Sequence, residues 1–297
     1  MNAKIDFLGI GAARAGSTWL WSILNRHPDI WMPPVKELHY FDRSLDYPSP
    51  SGFADDRFID RFFGKENRHV IFRRLFFQRI GKTFLIPSKW GNMRWLMRYF
   101  LGTCNDDWYL SLFDIKKEAT KGEITPAYSI LSQEDIQHIR GLFPNLKLIY
   151  LIRNPVDRAW SGLRHDWSEG RLDINNLGEV IRTIESPSQT YRSDYSRTIQ
   201  NWSTCFPKNQ ILVGFFDDIA SQPLPLIKNI LTFLNVDPII HIPIDKLKVK
   251  VNASREMNIP ASVKRYLAQK YYPEVKTLIP LVNGYSEMWL KEIEADL

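Results

Sequence analysis

Apolar positions gather into short unbroken runs separated by stretches of helical spacing. Residues 5–11 (IDFLGIG) are short, apolar and end in glycine, which predicts a buried strand. Residues 19–24 (WLWSIL) follow as an apolar helical run that stops before Pro28. A second buried strand is predicted at 146–152 (LKLIYLI), left at Arg153-Asn154-Pro155. Pro155 suits the first turn of a helix, and helical spacing runs from Val156 to Trp167. A third strand at 210–216 (QILVGFF) follows a helix predicted over 191–205, and further helices are predicted over 225–234, 260–270 and 286–295. Apolar strands alternating with helices imply a parallel sheet covered on both faces. Neither an internal repeat nor a low-complexity linker is visible. The expected fold class is therefore α/β, a single domain over 1–297 with a central parallel sheet flanked by helices in three layers.

Composition narrows the picture. Of 297 residues, 44% are hydrophobic and 24% charged, which excludes a disordered tail, a collagen-like repeat and a coiled-coil rod. Cys104 and Cys205 are the only cysteines, so there is no disulfide framework, and a thiolate zinc cluster is disfavoured. That usage suits a reducing compartment. The first apolar stretch is cut at Arg14, far short of the ~20 residues that span a bilayer, and nothing later reaches that length. A cytoplasmic location is expected, with any membrane contact made from the surface. Thirty-nine Lys and Arg against 33 acids give a net charge of +6, which favours anionic ligands and selects none.

One segment stands apart. Residues 57–98 hold eleven Lys and Arg against two acids, Asp60 and Glu66, a net of +9. Nine Phe and Trp are interleaved with these charges. Such a segment stacks on bases, lies in a lipid interface, or folds as helices with Phe turned inward and Arg outward.

Two clusters carry candidate chemistry. The loop Gly11-Ala-Ala-Arg14-Ala15-Gly16-Ser17-Thr18 joins the first strand to the first helix. Small residues let backbone N–H groups approach an anion, and the helix N-terminus adds partial positive charge. The Gly11-x4-Gly16 spacing is that of an ATP-binding P-loop, but Ser17 stands where that motif needs Lys, and the cation is Arg14 instead. A P-loop nucleotide kinase or NTPase is the alternative enzyme reading, and a bland glycine turn is the other. In the second cluster, Arg153 ends a strand, where open parallel sheets place ligands. Ser161 lies eight residues further on, about two helical turns. A planar fork with a hydroxyl suits a second phosphate. A structural ion pair at Arg153 is the plainer alternative.

Together the clusters resemble the sulfotransferases that use 3′-phosphoadenosine 5′-phosphosulfate (PAPS). GAARAGST matches that family's 5′-phosphosulfate loop, and RNPVDRAWS matches its 3′-phosphate motif, in the same order and about 140 residues apart. KELHYFD (36–42) and GEITPAY (122–128) resemble marks of its glycosaminoglycan-type branch, and Asn201-Trp202 and Phe206 to Ile211 also fit. The resemblance implies a P-loop-kinase-like architecture and an O-sulfotransferase. The co-substrate would be PAPS, the product adenosine 3′,5′-bisphosphate, and no metal would be required. The implied acceptor is the hydroxyl of a lipid, glycolipid, carbohydrate or polyketide-like metabolite. The insert 43–115 would form part of its site, and no nucleic-acid partner is expected.

Position by position, Arg14, Ala15, Gly16, Ser17, Thr18 and Trp19 would surround the 5′-phosphosulfate. Arg153 and Ser161 would hold the 3′-phosphate. Lys250 and Arg255, within a basic run 246–255, fall where the family folds a loop over the nucleotide; a solvated charge run is the alternative. Glu37 matches the catalytic base, with His39 the competing candidate. If 35–41 is extended, positions 37 and 39 share a face. Arg14 would neutralise charge on the leaving phosphate. It stands where Lys is usual, and a guanidinium does not readily donate a proton. Lys36, Tyr128 and His165 are candidate acceptor contacts, although a surface position also suits His165. Ile124 stands where several carbohydrate sulfotransferases have Lys, which argues against a polysulfated sugar.

Overall fold

The computed structural model describes residues 5–48, 51–115, 118–238 and 257–297. Five strands form one sheet: β1 (Phe7–Gly11), β2 (Ile30–Trp31), β3 (Thr120–Ile124), β4 (Lys147–Ile152) and β5 (Ile211–Phe215). Their order is β2-β3-β1-β4-β5, and every pairing is parallel. Helix α1 (Ser17–Leu24) separates β1 from β2. Helices α2 (Phe58–Phe63), α3 (Asn67–Leu85), α4 (Met93–Leu101) and α5 (Asp106–Ser111) come before β3, and α6 (Gln133–Leu142) leads into β4. Between β4 and β5 lie α7 (Pro155–Ser168), α8 (Leu177–Glu185), α9 (Pro187–Ser193) and α10 (Tyr195–Cys205). After β5 come α11 (Phe216–Ser221), α12 (Pro223–Phe233), α13 (Ala261–Leu278) and α14 (Ser286–Glu294).

Side chains alternate across the sheet, as strand geometry requires. Phe7, Ile149 and Leu151 join Trp19, Leu20, Ile23, Ile227 and Ile230 in one apolar layer. Leu8, Ile10, Leu148, Tyr150 and Ile152 join the opposite layer, with Leu267, Tyr271 and Trp289. Both layers are buried, so the strands read as nearly continuous apolar runs. Close strand approach requires glycine at two positions: a Cβ on Gly122 would meet the Phe7 ring at 2.4 Å, and one on Gly9 would meet Ile124 Cγ1 at 2.7 Å.

The strands expected at 5–11, 146–152 and 210–216 are β1, β4 and β5, each trimmed by one or two residues. The helix expected over 191–205 is two helices. Asp194 ends α9 and caps α10, accepting from the Arg197 N–H at 3.1 Å. The helix expected over 260–270 continues to Leu278, through Pro273.

The basic segment departs further from expectation. Phe53, Phe72, Phe76, Tyr99, Phe100 and Trp108 form a ring cluster inside the insert. Its aromatic richness therefore builds the insert's own core and is not by itself a sign of an acceptor pocket. Arg61 points inward, fully buried, and donates to the carbonyls of Asp55, Asp56, Phe100 and Gly102. Arg73 donates to the carbonyls of Phe62 and Gly64. These two arginines fasten helix ends, and several phenylalanines face out instead.

Candidate active site

The chain leaves β1 toward the β3 side of the sheet and later returns to β4 on the other side. The loop after β1 and the residue after β4 thus meet at a switch point, where open parallel sheets form a crevice. Gly16 opens α1 at φ 97°, and a Cβ there would lie 2.3 Å from Ile219 Cδ1. Only glycine fits. No side chain caps α1, so the helix presents its N-terminal partial charge to the loop.

Arg14 sits in this loop at φ 69°. Its Nη2 donates to the main-chain carbonyl of Ser161 at 3.5 Å, and its Nε is buried without a partner. Burial lowers its proton affinity, opposed by Asp166, reinforced by Arg164 and Arg158, and opposed again by Glu37. Arg14 therefore ties the first cluster to the second while lying within the field of Glu37.

Arg153 leaves β4 with its guanidinium over the Phe216 ring, 4.4 Å from the centroid. Nη2 is 3.4 Å from Asp157 Oδ2, and Nε is buried without a partner. Its carbonyl accepts from the Tyr195 hydroxyl at 2.8 Å. Asn154 caps α7, accepting from the Val156 N–H at 3.0 Å, with Pro155 in the first turn as expected. Ser161 is buried on that helix.

The loop 36–42 is not extended. Glu37 and His39 hold left-handed φ values of 64° and 54°, yet their side chains still meet. His39 Nε2 is 3.5 Å from Glu37 Oε2, its Nδ1 is 2.7 Å from Asp42 Oδ2, and Lys36 Nζ donates to Glu37 Oε1. Burial pushes the Glu37 carboxyl up, but His39 and Lys36 outweigh it and hold the pKa at about 2. Burial likewise opposes charge on His39, but Asp42 and Glu37 raise it to about 10. At neutral pH the pair is carboxylate and imidazolium.

This loop hangs from β3. Glu123, fully buried, accepts from Thr125 Oγ1 at 2.6 Å, Tyr128 OH at 2.7 Å, Tyr109 OH at 2.9 Å and the Leu38 N–H at 3.4 Å. The Tyr128 oxygen in turn accepts from the Tyr40 N–H at 3.1 Å. Two amides of the loop are thereby fixed on either side of His39.

The sulfotransferase family profile matches residues 7–239. The chain belongs to that family. Human bifunctional heparan sulfate N-deacetylase/N-sulfotransferase 2 is 22% identical over 249 residues, 79% of this chain and 22% of that protein. The chain thus spans about a fifth of that relative's length. A sulfotransferase from Alicyclobacillus acidocaldarius shares the fold at a TM-score of 0.65 and 23% identity, over 97% of this chain and 99% of the other. Mouse sulfotransferase SULT7A1, solved with PAP, aligns at a TM-score of 0.50 and 14% identity, over 100% of this chain and 91% of the other.

The structure places the residues singled out from the sequence as follows. Arg14, Gly16, Ser17, Thr18, Arg153 and Ser161 gather at one end of the sheet, beside Glu37 and His39. His165, one turn beyond Ser161, is half-buried, and its proton affinity is lowered by burial and then by Arg14. Tyr128, expected among the acceptor contacts, is wholly buried with its hydroxyl on Glu123, where it supports the loop. The Trp19 side chain belongs to the apolar layer. Lys250 and Arg255 lie outside the described residues.

Two residues were not legible as part of this site. Glu123 sits in GEITPAY, where nothing local reveals a load from residues 38 and 40. Arg192 ends α9, its Nε buried without a partner. Burial and then Arg158 lower its proton affinity, while Asp166, Glu37 and Asp42 oppose them, so it belongs to the same charged neighbourhood.

Proposed function

We propose that this chain transfers a sulfuryl group from PAPS to the hydroxyl of an acceptor by in-line displacement. The observation that carries the reading is Arg14, which spans from the glycine loop to the Ser161 carbonyl within the field of Glu37. The orphaned Nε atoms of Arg14 and Arg153 and the uncapped α1 fit an anionic ligand. PAPS supplies the activated sulfuryl group, on a phosphate leaving group.

Each residue then has a role that its surroundings support. The Gly16 turn and the first turn of α1 bind the 5′ end. Arg14 stabilises charge on the bridging oxygen, as a fixed cation in a water-poor site. Arg153, oriented by Phe216 and Asp157, receives the 3′-phosphate, with Ser161. Glu37 takes the hydroxyl proton on a carboxylate oxygen. His39, already cationic, has no free position for that proton. It orients Glu37, and Asp42 orients it. Contact of Lys36 with an anionic donor would draw its ammonium away from Glu37, and the proton affinity of the carboxylate would rise.

The test has two parts. Adenosine 3′,5′-bisphosphate at about a hundredfold excess over Kd should stabilise the protein by about 2.7 kcal/mol, and ATP should do so far less. Incubation with labelled PAPS and extracts should then yield sulfated hydroxyl compounds by mass spectrometry. Equal stabilisation by ATP, or sulfation confined to amines, overturns the reading.

A further inference from the structure

Helix α3 contains no acid. Its sequence, NRHVIFRRLFFQRIGKTFL, carries Arg68, Arg73, Arg74, Arg79 and Lys82 and neither Asp nor Glu. In a surface helix, apolar residues turn to the core and charged ones to water. Phe72 obeys, but Phe77 and Phe84 are 60% and 65% exposed, and Leu85 is 83% exposed. At 100° per residue, positions 70, 77 and 84 fall within about 40° of one another. Arg74 is exposed about 40° round from Val70 on one flank of this ridge, and Lys82 is exposed about 120° round on the same side.

The ridge continues beyond the helix at both ends. Phe63, 70% exposed, packs on Phe62 at 5.2 Å, and Phe62 touches Phe77 at 5.8 Å. Trp90, 59% exposed, donates its indole N–H to the Phe84 carbonyl at 3.2 Å. An apolar ridge of this length is rarely left bare in water.

Charge decides what covers it. A second copy of this chain would bring the exposed Arg74 and Lys82 against cations of like sign, with no acid on the helix to meet them. A nucleic acid would meet the cations but would press phosphates against Val70, Ile71 and Leu85. An anionic lipid surface suits both features, with headgroups meeting Arg74 and Lys82 and the interface receiving Phe, Trp and Leu side chains. No helix among the described residues is long and apolar enough to cross a membrane, so the contact is peripheral. We infer that α3, with Phe63 and Trp90, docks this protein on an anionic membrane surface. The inference goes beyond the proposed reaction and does not depend on it.

The experiment is flotation of the full chain with vesicles of phosphatidylcholine alone or mixed with phosphatidylglycerol. Wild type should float with the anionic vesicles only, and added salt should weaken the association. Phe77→Ser with Phe84→Ser should lower the partition coefficient at least about tenfold. Arg74→Ala and Lys82→Ala should lower it by roughly fivefold each. All these variants should keep the wild-type melting point, which separates docking from misfolding. Three results overturn the inference: no flotation of wild type at low salt, flotation unchanged in the double Phe variant, or a dimer in light scattering that the same variant abolishes. Tighter binding to a single-stranded oligonucleotide that displaces the vesicles assigns the face to nucleic acid instead.

Discussion

His39 Nδ1 lies 2.7 Å from Oδ2 of Asp42, a residue with 1% of its surface exposed. A buried carboxylate at that distance favours the imidazolium, and Glu37 on the other ring nitrogen adds to it. His39 is thereby a fixed cation at neutral pH, with a pKa raised to about 10. In the proposed reaction its contribution is to orient Glu37.

Glu37→Gln should lower turnover by about 10²–10⁴ while bisphosphate affinity holds. The acid limb of the pH–rate profile distinguishes this role from a structural one. With Glu37 held at about 2, turnover should stay flat on the acid side until the protein itself unfolds. Lys36→Ala removes a cation that lowers this pKa, so the limb should move to higher pH. An unmoved limb in Lys36→Ala would show that another group accepts the proton.

The same network sets a stability window. His39 is raised from 6.5 to about 10, so its contribution is complete below pH 6.5 and lost as pH rises through about 10. Glu37 is lowered from 4.5 to about 2, so its contribution is present above pH 4.5 and lost as pH falls through about 2. His39→Gln should therefore cost more stability near pH 6 than near pH 10. Urea denaturation of both proteins at the two pH values measures the difference.

Arg153→Ala should weaken adenosine 3′,5′-bisphosphate at least tenfold. Its fork is charge-assisted and mostly buried, worth roughly 1.5–3 kcal/mol. Calorimetric titration with an analogue lacking the 3′-phosphate should show little change. If both ligands lose equally, Arg153 is not the 3′-phosphate site.

Glu274 on α13 accepts from the Ser196 N–H at 2.9 Å and its hydroxyl at 3.0 Å. Burial nonetheless raises its pKa from 4.5 to about 7. A carboxyl raised on folding favours the native state least where it must ionise, so stability falls as pH climbs from 4.5 through about 7. Glu274→Gln keeps an acceptor for Ser196 and removes the titration. Its melting point should exceed that of wild type near pH 8 more than near pH 5.

Legibility followed local information. β1 and β5 are apolar throughout and β4 is so after Lys147, because both faces are covered, and a run such as LIYLI declares that without context. β3 reads TKGEI, in which Lys121 and Glu123 break the apolar pattern and Gly122 answers to Phe7 on a neighbouring strand. β2 has only two residues. The glycine loop and Arg153 were legible because each follows a readable strand. The left-handed turns at Glu37 and His39 were not, since they depend on a carboxylate 85 residues from Leu38. Arg61 lies inside against the pattern of outward cations because helix-end carbonyls capture its guanidinium within the insert.

The order of the sheet also bears on how the chain reaches its native state. β1 takes its partners from 122–124 on one side and 147–150 on the other. Both edges of β1 thus stay open until 122–124 has been synthesised, and one of them until 147–150 follows. Native contacts this distant in sequence slow folding and leave strand edges exposed meanwhile. During synthesis, an apolar strand with two bare edges is a natural target for chaperones, and any chain truncated before β4 should aggregate through it.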